Sequence, residues 1–179
     1  VCSSDLINWP IMRGDTKTGL TIFRPNEGLD EGPVVLQKEC AIGPDDTLGD
    51  VYFNHLFPLG VKAMLEAADL VFAGKHTETV QDESQASYEG WCRTGESRIH
   101  WANHVDSVYN MIRGCNPAPG AWTTLAGKKI QVFETKKIPA IDPKGIGGKM
   151  GQVMEVDDKG FTVCCADGRI HVLRVRGDA

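Results

Sequence analysis

After Gly120 the chain changes character in a way that restricts its fold more than any other feature. β-Prone runs recur at Trp122–Leu125, Lys129–Thr135, Gln152–Val156, Phe161–Cys165 and Ile170–Val175. Asp158-Lys159-Gly160 and Asp167-Gly168 separate the later runs and supply the residues that tight hairpin turns need. Five short strands packed into about 60 residues predict a small closed or partly open β-barrel.

Upstream of that point the period is helical. Asp45 or Asp46 can cap a helix beginning near Thr47, whose apolar stripe runs through Val51, Leu56, Val61, Met64, Leu65, Ala68 and Val71. Pro58 predicts a kink or a fresh start within it, and Gly74 a stop. Lys75–Ser97 is polar and poor in aliphatic residues, so it reads as an extended linker, pinned at Tyr88 and Trp91. A second amphipathic helix is expected over Ala102–Arg113, with Val105, Val108, Tyr109 and Ile112 on one side and Gly114 as its stop.

Nearer the start, Ile7–Met12 is apolar but contains Pro10, which predicts an edge strand or buried extended segment; an exposed edge there favours aggregation. Leu20–Phe23 and Val34–Glu39 read as two strands that place the loop Arg24–Pro33 at their shared end. Gly28 and Gly32 flank Asp30 in that loop, a pattern that by itself favours a plain surface turn over a tight bend built for close backbone approach.

Composition narrows the function classes. Hydrophobic content of 41% and charged content of 24% argue against disorder, and no apolar run approaches the roughly 20 residues of a membrane span. VCSSDL has neither the basic nor the apolar region of an export signal, so a cytoplasmic location is expected. Six irregularly spaced cysteines are then expected as free thiols, with the adjacent Cys164 and Cys165 pointing to opposite faces of a strand, one inward and one outward. Residues 1–120 carry 9 Lys and Arg against 17 Asp and Glu, whereas residues 121–179 carry 10 against 7. The lysines of the basic segment, Lys128, Lys129, Lys136, Lys137, Lys144 and Lys149, are candidates for contact with a polyanion.

Few residues carry chemistry. His100 and His104 stand four apart, but no glutamate lies between them and no third ligand is signalled, so no metal is expected. GIGGKMG at 145–151 lacks the hydroxyl residue and first glycine of a phosphate loop. No Ser/His/Asp or Cys/His set is legible. Asp30 remains, a carboxylate at the mouth of two strands that could act as a general acid or base or orient a histidine.

The order Gly14, Thr18-Gly19, Thr21, Asp30-Glu31-Gly32-Pro33 resembles the signature of the folate-dependent formyltransferases, and LQKEC, PDDT, LFPLGVKAM, SYEGW and IRGCNPAPGAWT extend the likeness over nearly all of residues 7–176. The resemblance implies an α/β fold: the C-terminal part of a Rossmann-like catalytic domain over residues 7–74, a linker over 75–97, and an OB-like β-barrel domain with a leading helix over 98–179. Residues 1–6 do not resemble the family sequence and are expected to be foreign, with the family's Asn and His lying upstream of the position equivalent to Ile7. By the same resemblance Asp30 is the acid of a catalytic Asn/His/Asp set, and Pro25, Asn26, Glu27, Gly28 and Leu29 cradle the pterin of 10-formyltetrahydrofolate. Methionyl-tRNA formyltransferase and the hydrolase domain of 10-formyltetrahydrofolate dehydrogenase fit best; Phe23 stands where glycinamide ribonucleotide transformylase usually has a histidine. LQKEC and LFPLGVKAM lean to hydrolysis, the NPAPGA turn and basic tail to initiator methionyl-tRNA. No turnover is expected from these 179 residues alone, because one member of the set cannot supply both oxyanion stabilisation and proton transfer.

Overall fold

The computed structural model describes residues 6–139 and 147–177. The first element is a helix, α1 (Asn8–Arg13), where the sequence predicted an extended segment. Pro10 falls in its first turn, where a missing N–H breaks no helical bond, and Gly14 closes the helix at φ 82°. Ile7 and Ile11, four apart, are buried by this turn of helix. The aggregation-prone edge expected at Ile7–Met12 therefore does not exist.

β1 (Lys17–Phe23) and β2 (Val34–Ala41) form an antiparallel pair, with Phe23 opposite Val34, so the intervening loop sits at their shared end as expected. The helical stripe then splits into a short turn α2 (Leu48–Asp50), a π-helical stretch Val51–Leu56, and α3 (Phe57–Phe72) with Pro58 in its first turn. The wide turn ends where proline could not have donated to the preceding carbonyls, which is the fresh start that Pro58 predicts.

Thr47, not Asp45 or Asp46, is the cap. Its hydroxyl accepts from the Asp50 N–H at 3.2 Å, while the Asp50 carboxylate accepts from the Thr47 N–H at 2.9 Å and from the hydroxyl at 2.7 Å. These bonds from Thr47 hold the Asp50 carboxyl below its ordinary pKa. A depressed pKa contributes stability above the unfolded value of about 4 and loses it as pH falls through the lower folded value. Thr47→Ala is expected to cost about 1 kcal/mol in urea unfolding at neutral pH, with the deficit narrowing below about pH 4. Asp46 instead accepts from the Gly43 N–H at 2.7 Å.

α4 (Val105–Gly114) leads a five-stranded antiparallel sheet, β3 (Ala121–Leu125), β4 (Lys128–Pro139), β5 (Val153–Val156), β6 (Phe161–Cys164) and β7 (Gly168–Gly177), in the order β3-β4-β7-β6-β5. Each predicted strand is present. Among the described residues no pairing joins β3 to β5, so the sheet is open rather than a closed barrel. Val108, Ile112, Val132, Ile170 and Val172 pack the α4 stripe onto its inner face. Each aliphatic side chain withdrawn from water there contributes about 1.5–3 kcal/mol.

The two regions are locked at the end of α4. Asn8 Nδ2 donates to the carbonyls of Gly114 and Ala118, at 2.6 and 3.2 Å. Arg113 is buried, with its Nη1 donating to the carbonyls of Gly43 and Asp46 at 3.2 and 2.9 Å and its Nε to Asn110 at 2.8 Å. Burial lowers its pKa. Tyr109 donates its hydroxyl to Asp45 at 2.8 Å; burial first, then that bond, pushes its pKa up to about 12.

Candidate active site

Asp30 stands at the tip of the β1–β2 loop, exposed, with φ 57°. A left-handed conformation costs a residue with a side chain about 1–2 kcal/mol, and aspartate is among the few that visit it. No hydrogen bond or ion pair reaches its carboxylate among the described residues. The sequence pattern assigned the special backbone to the flanking glycines, yet Asp30 itself takes it. Gly32 is required for another reason: a Cβ there would collide with the Arg24 carbonyl.

Three residues of the linker grip this loop, and sequence reading missed all of them. Gln81 Nε2 donates to the carbonyls of Asp30 and Gly32, both at 2.7 Å. Thr79 and Val34 exchange two backbone bonds of 2.8 and 2.9 Å, and Glu78 pairs with Arg24. The linker is thus fixed by a strand-like bridge at Thr79, by Cys92, which is buried, and by Trp9, whose ring nitrogen donates to the Gly90 carbonyl at 2.8 Å. Tyr88 and Trp91, the expected pins, are 83% and 59% exposed. A polar stretch gives no periodic signal for such side-chain-to-backbone contacts, so only long-range geometry exposes them.

The nominated cradle Pro25–Leu29 lies on the surface, and Leu29 is 74% exposed. The Gly28 N–H is engaged by Asn26 Oδ1 at 3.0 Å. Among the described residues no backbone-to-backbone bond occupies residues 25–29, which leaves polar edges free to meet a heteroaromatic ring. Ile22, Phe23 and Pro25 also line one end of an apolar groove of about 1050 Å³, bounded across from β1 by Phe57, Val61 and Met64 of α3.

The remaining nominations separate. His100 precedes α4, and His104 is its N-cap residue with Nδ1 2.7 Å from Asp167, so the two imidazoles do not share a helical face. Among the described residues no three metal-binding side chains converge. Cys164 and Cys165 are both buried: Cys165 belongs to the core cluster, and the Cys164 Sγ lies 3.8 Å from the Gly147 carbonyl. This corrects the expectation of one outward thiol; burial pushes the Cys165 pKa up to about 12, so it stays protonated. Lys144 and the 1–5 part of the segment expected to be foreign lie outside the described residues.

Among the described residues the lysines of the basic segment do not gather in one patch. Lys128 and Lys129 begin β4, Lys136 and Lys137 lie towards its other end, and Lys137 pairs with Asp106 at 2.7 Å; Lys149 is exposed in a separate turn. What the sheet assembles instead is a row across three strands, Trp122 opposite Gln131 and Gln131 opposite Arg176. Arg98 and Lys129 lie over the Trp122 ring at 5.5 and 4.8 Å, and Arg174, which also pairs with Glu134 at the surface, and Arg176 lie over Phe133 at 5.0 and 5.2 Å. The irregularity between Glu134 and Thr135 leaves Leu173 as an extra residue on β7 and shifts that strand's parity, so Ile170 and Val172 face the core while the two arginines leave it. Their spacing of two residues on one strand was the available signal.

Two family models match the chain, one described as formyl transferase over residues 4–67 and one as formyl transferase, C-terminal domain, over residues 93–179. The chain is 35% identical to the mitochondrial 10-formyltetrahydrofolate dehydrogenase of Mus musculus over 94% of its own length and 18% of that protein's. It is 34% identical to the methionyl-tRNA formyltransferase of Syntrophus aciditrophicus over 95% of its own length and 53% of that enzyme's. In fold it resembles HypX from Aquifex aeolicus in complex with tetrahydrofolic acid, with a TM-score of 0.74, 21% identity, and coverage of 98% of this chain and 30% of that one. The chain thus spans about half or less of the curated relatives it matches.

Proposed function

This chain belongs to the formyl transferase family, and on that premise we propose that it serves formyl transfer from 10-formyltetrahydrofolate to the α-amino group of methionyl-tRNA. In that reaction the amine nitrogen attacks the formyl carbon, the bond from that carbon to N10 breaks, and the proton lost by the amine is balanced by one gained at N10. The chain contributes Asp30, an exposed carboxylate held beside a loop with open backbone edges. By the family resemblance its role is to set the protonation and orientation of a histidine, which stabilises the charge on the formyl oxygen together with an asparagine.

The observation that carries the choice of acceptor is the face with four cations over Trp122 and Phe133. Cations held against aromatic rings suit phosphates; Phe133 is itself buried, so of the two rings only that of Trp122 stays partly open to an unstacked base. Initiator methionyl-tRNA titrated onto the complete protein is expected to bind with an affinity that falls roughly a hundredfold between about 50 and 200 mM salt, as four phosphate contacts require. Arg174→Ala and Arg176→Ala should each reduce the salt slope by about 1. Binding that ignores salt, or a slope unchanged in both variants, would remove the tRNA assignment.

A second reading is hydrolysis of the same folate to formate, with water in place of the amine. It is favoured by the likeness to the dehydrogenases and by the LQKEC and LFPLGVKAM segments. Formate released at the full rate in the absence of tRNA would establish it over transfer.

A further inference from the structure

We propose that Gln81 is a positioning residue for Asp30, through which the linker sets the geometry of the catalytic loop; this rests on the reading of Asp30 as catalytic. Asp30 has a backbone that few side-chain-bearing residues adopt, and its exposed carboxylate makes no bond of its own among the described residues to hold it there. The restraint comes from outside the loop. One amide nitrogen, 51 residues away in sequence, donates to the carbonyl of Asp30 at 2.7 Å and to the carbonyl of Gly32, two residues on, at 2.7 Å. Two acceptors on the same nitrogen fix the orientation of the Gln81 amide and staple the Asp30–Glu31 and Gly32–Pro33 peptide units together.

The staple itself is anchored. Two residues earlier, Thr79 bridges to Val34 at the start of β2, and Glu78 pairs with Arg24 at the end of β1. The stretch 78–81 therefore touches the loop at its entry, its tip and its exit. A loop tethered only at its strand ends would let a left-handed residue relax to other conformations; contacts at all three places remove that freedom. Because the same stretch connects α3 to the second region, displacement of the linker reaches Asp30 directly, without passing through a packed core.

The test compares the complete protein with its Gln81→Glu, Gln81→Ala and Asp30→Asn variants. Glu keeps the shape of Gln but turns the donor into an acceptor facing two carbonyl oxygens. Consumption of 10-formyltetrahydrofolate in the presence of methionyl-tRNA is expected to show kcat lower by about ten- to a hundredfold in both Gln81 variants. KM for the folate should stay within about threefold, since the staple lies beyond the Pro25–Leu29 cradle. Thermal midpoints should stay near that of the parent, and amide exchange across residues 24–36 should accelerate. If kcat in Gln81→Glu matches the parent within twofold while Asp30→Asn is inactive, the positioning role is overturned and the catalytic reading of Asp30 stands. A loss of rate that follows the folded fraction measured by circular dichroism also overturns it, as a structural role only. Full activity of Asp30→Asn defeats the catalytic reading and the positioning role with it.

Discussion

Asp30→Asn is expected to lower formyl transfer by about 10²–10⁴-fold, the scale of loss when the carboxylate that sets a catalytic histidine's protonation and orientation is removed. Asparagine is the informative substitution because it preserves the shape and, like aspartate, tolerates the left-handed backbone at φ 57°. Alanine would add backbone strain to the loss of charge and blur the two. The carboxylate makes no bond among the described residues, so the variant should fold with a stability within about 0.5 kcal/mol of the parent. Stopped rates in a fully folded variant would place the defect in chemistry. Rates near the parent's would mean that the loop is the ordinary surface turn its sequence also permits.

Arg113→Ala is expected to be the most destabilising single change, by about 3 kcal/mol, against a total of about 5–15 kcal/mol for a domain of this kind. The guanidinium is buried and supplies the side-chain donors to the carbonyls of Gly43 and Asp46 and to Asn110. Truncation removes the guanidinium donors to Asp46 and Asn110 and leaves the Gly43 carbonyl with the Asp46 N–H alone, at 3.3 Å. Arg113→Met restores most of the stem volume, so it separates packing from hydrogen bonding: a loss of at least about 1 kcal/mol should persist. Urea denaturation followed by tryptophan fluorescence reads both. If methionine recovers the parent stability, the lock between α4 and the 43–46 turn is one of shape alone.

Much of the architecture was legible because it follows local period. The five strands after Gly120, the α4 stripe and the restart at Pro58 all appear where apolar spacing and turn residues put them. The failures have identifiable causes. Ile7–Met12 was read as extended because proline counts against helices, yet Pro10 occupies the first turn, where it costs nothing. Strand alternation predicted one outward thiol at Cys164–Cys165, but both are buried, with the Cys164 Sγ against the Gly147 carbonyl. At the site, Asp30 was legible from the pattern of its neighbours, and the family likeness gave it a role. Gln81, Thr79 and Glu78 were not, since a polar linker has no period and their partners lie about fifty residues away. The cation–aromatic clusters were not legible for a similar reason: arginines of β7 and Arg98 from the stretch before α4 meet two rings that only the sheet brings near them.

Formyl transfer is tested most directly by following the carbon itself. The complete protein is incubated with 10-formyltetrahydrofolate labelled in the formyl carbon, with and without initiator methionyl-tRNA. Label appearing on the tRNA, dependent on Asp30 and weakened by substitution of Arg174 and Arg176, is the predicted result. Label released as formate at the same rate whether or not tRNA is present, or retained on the folate in both cases, would contradict it.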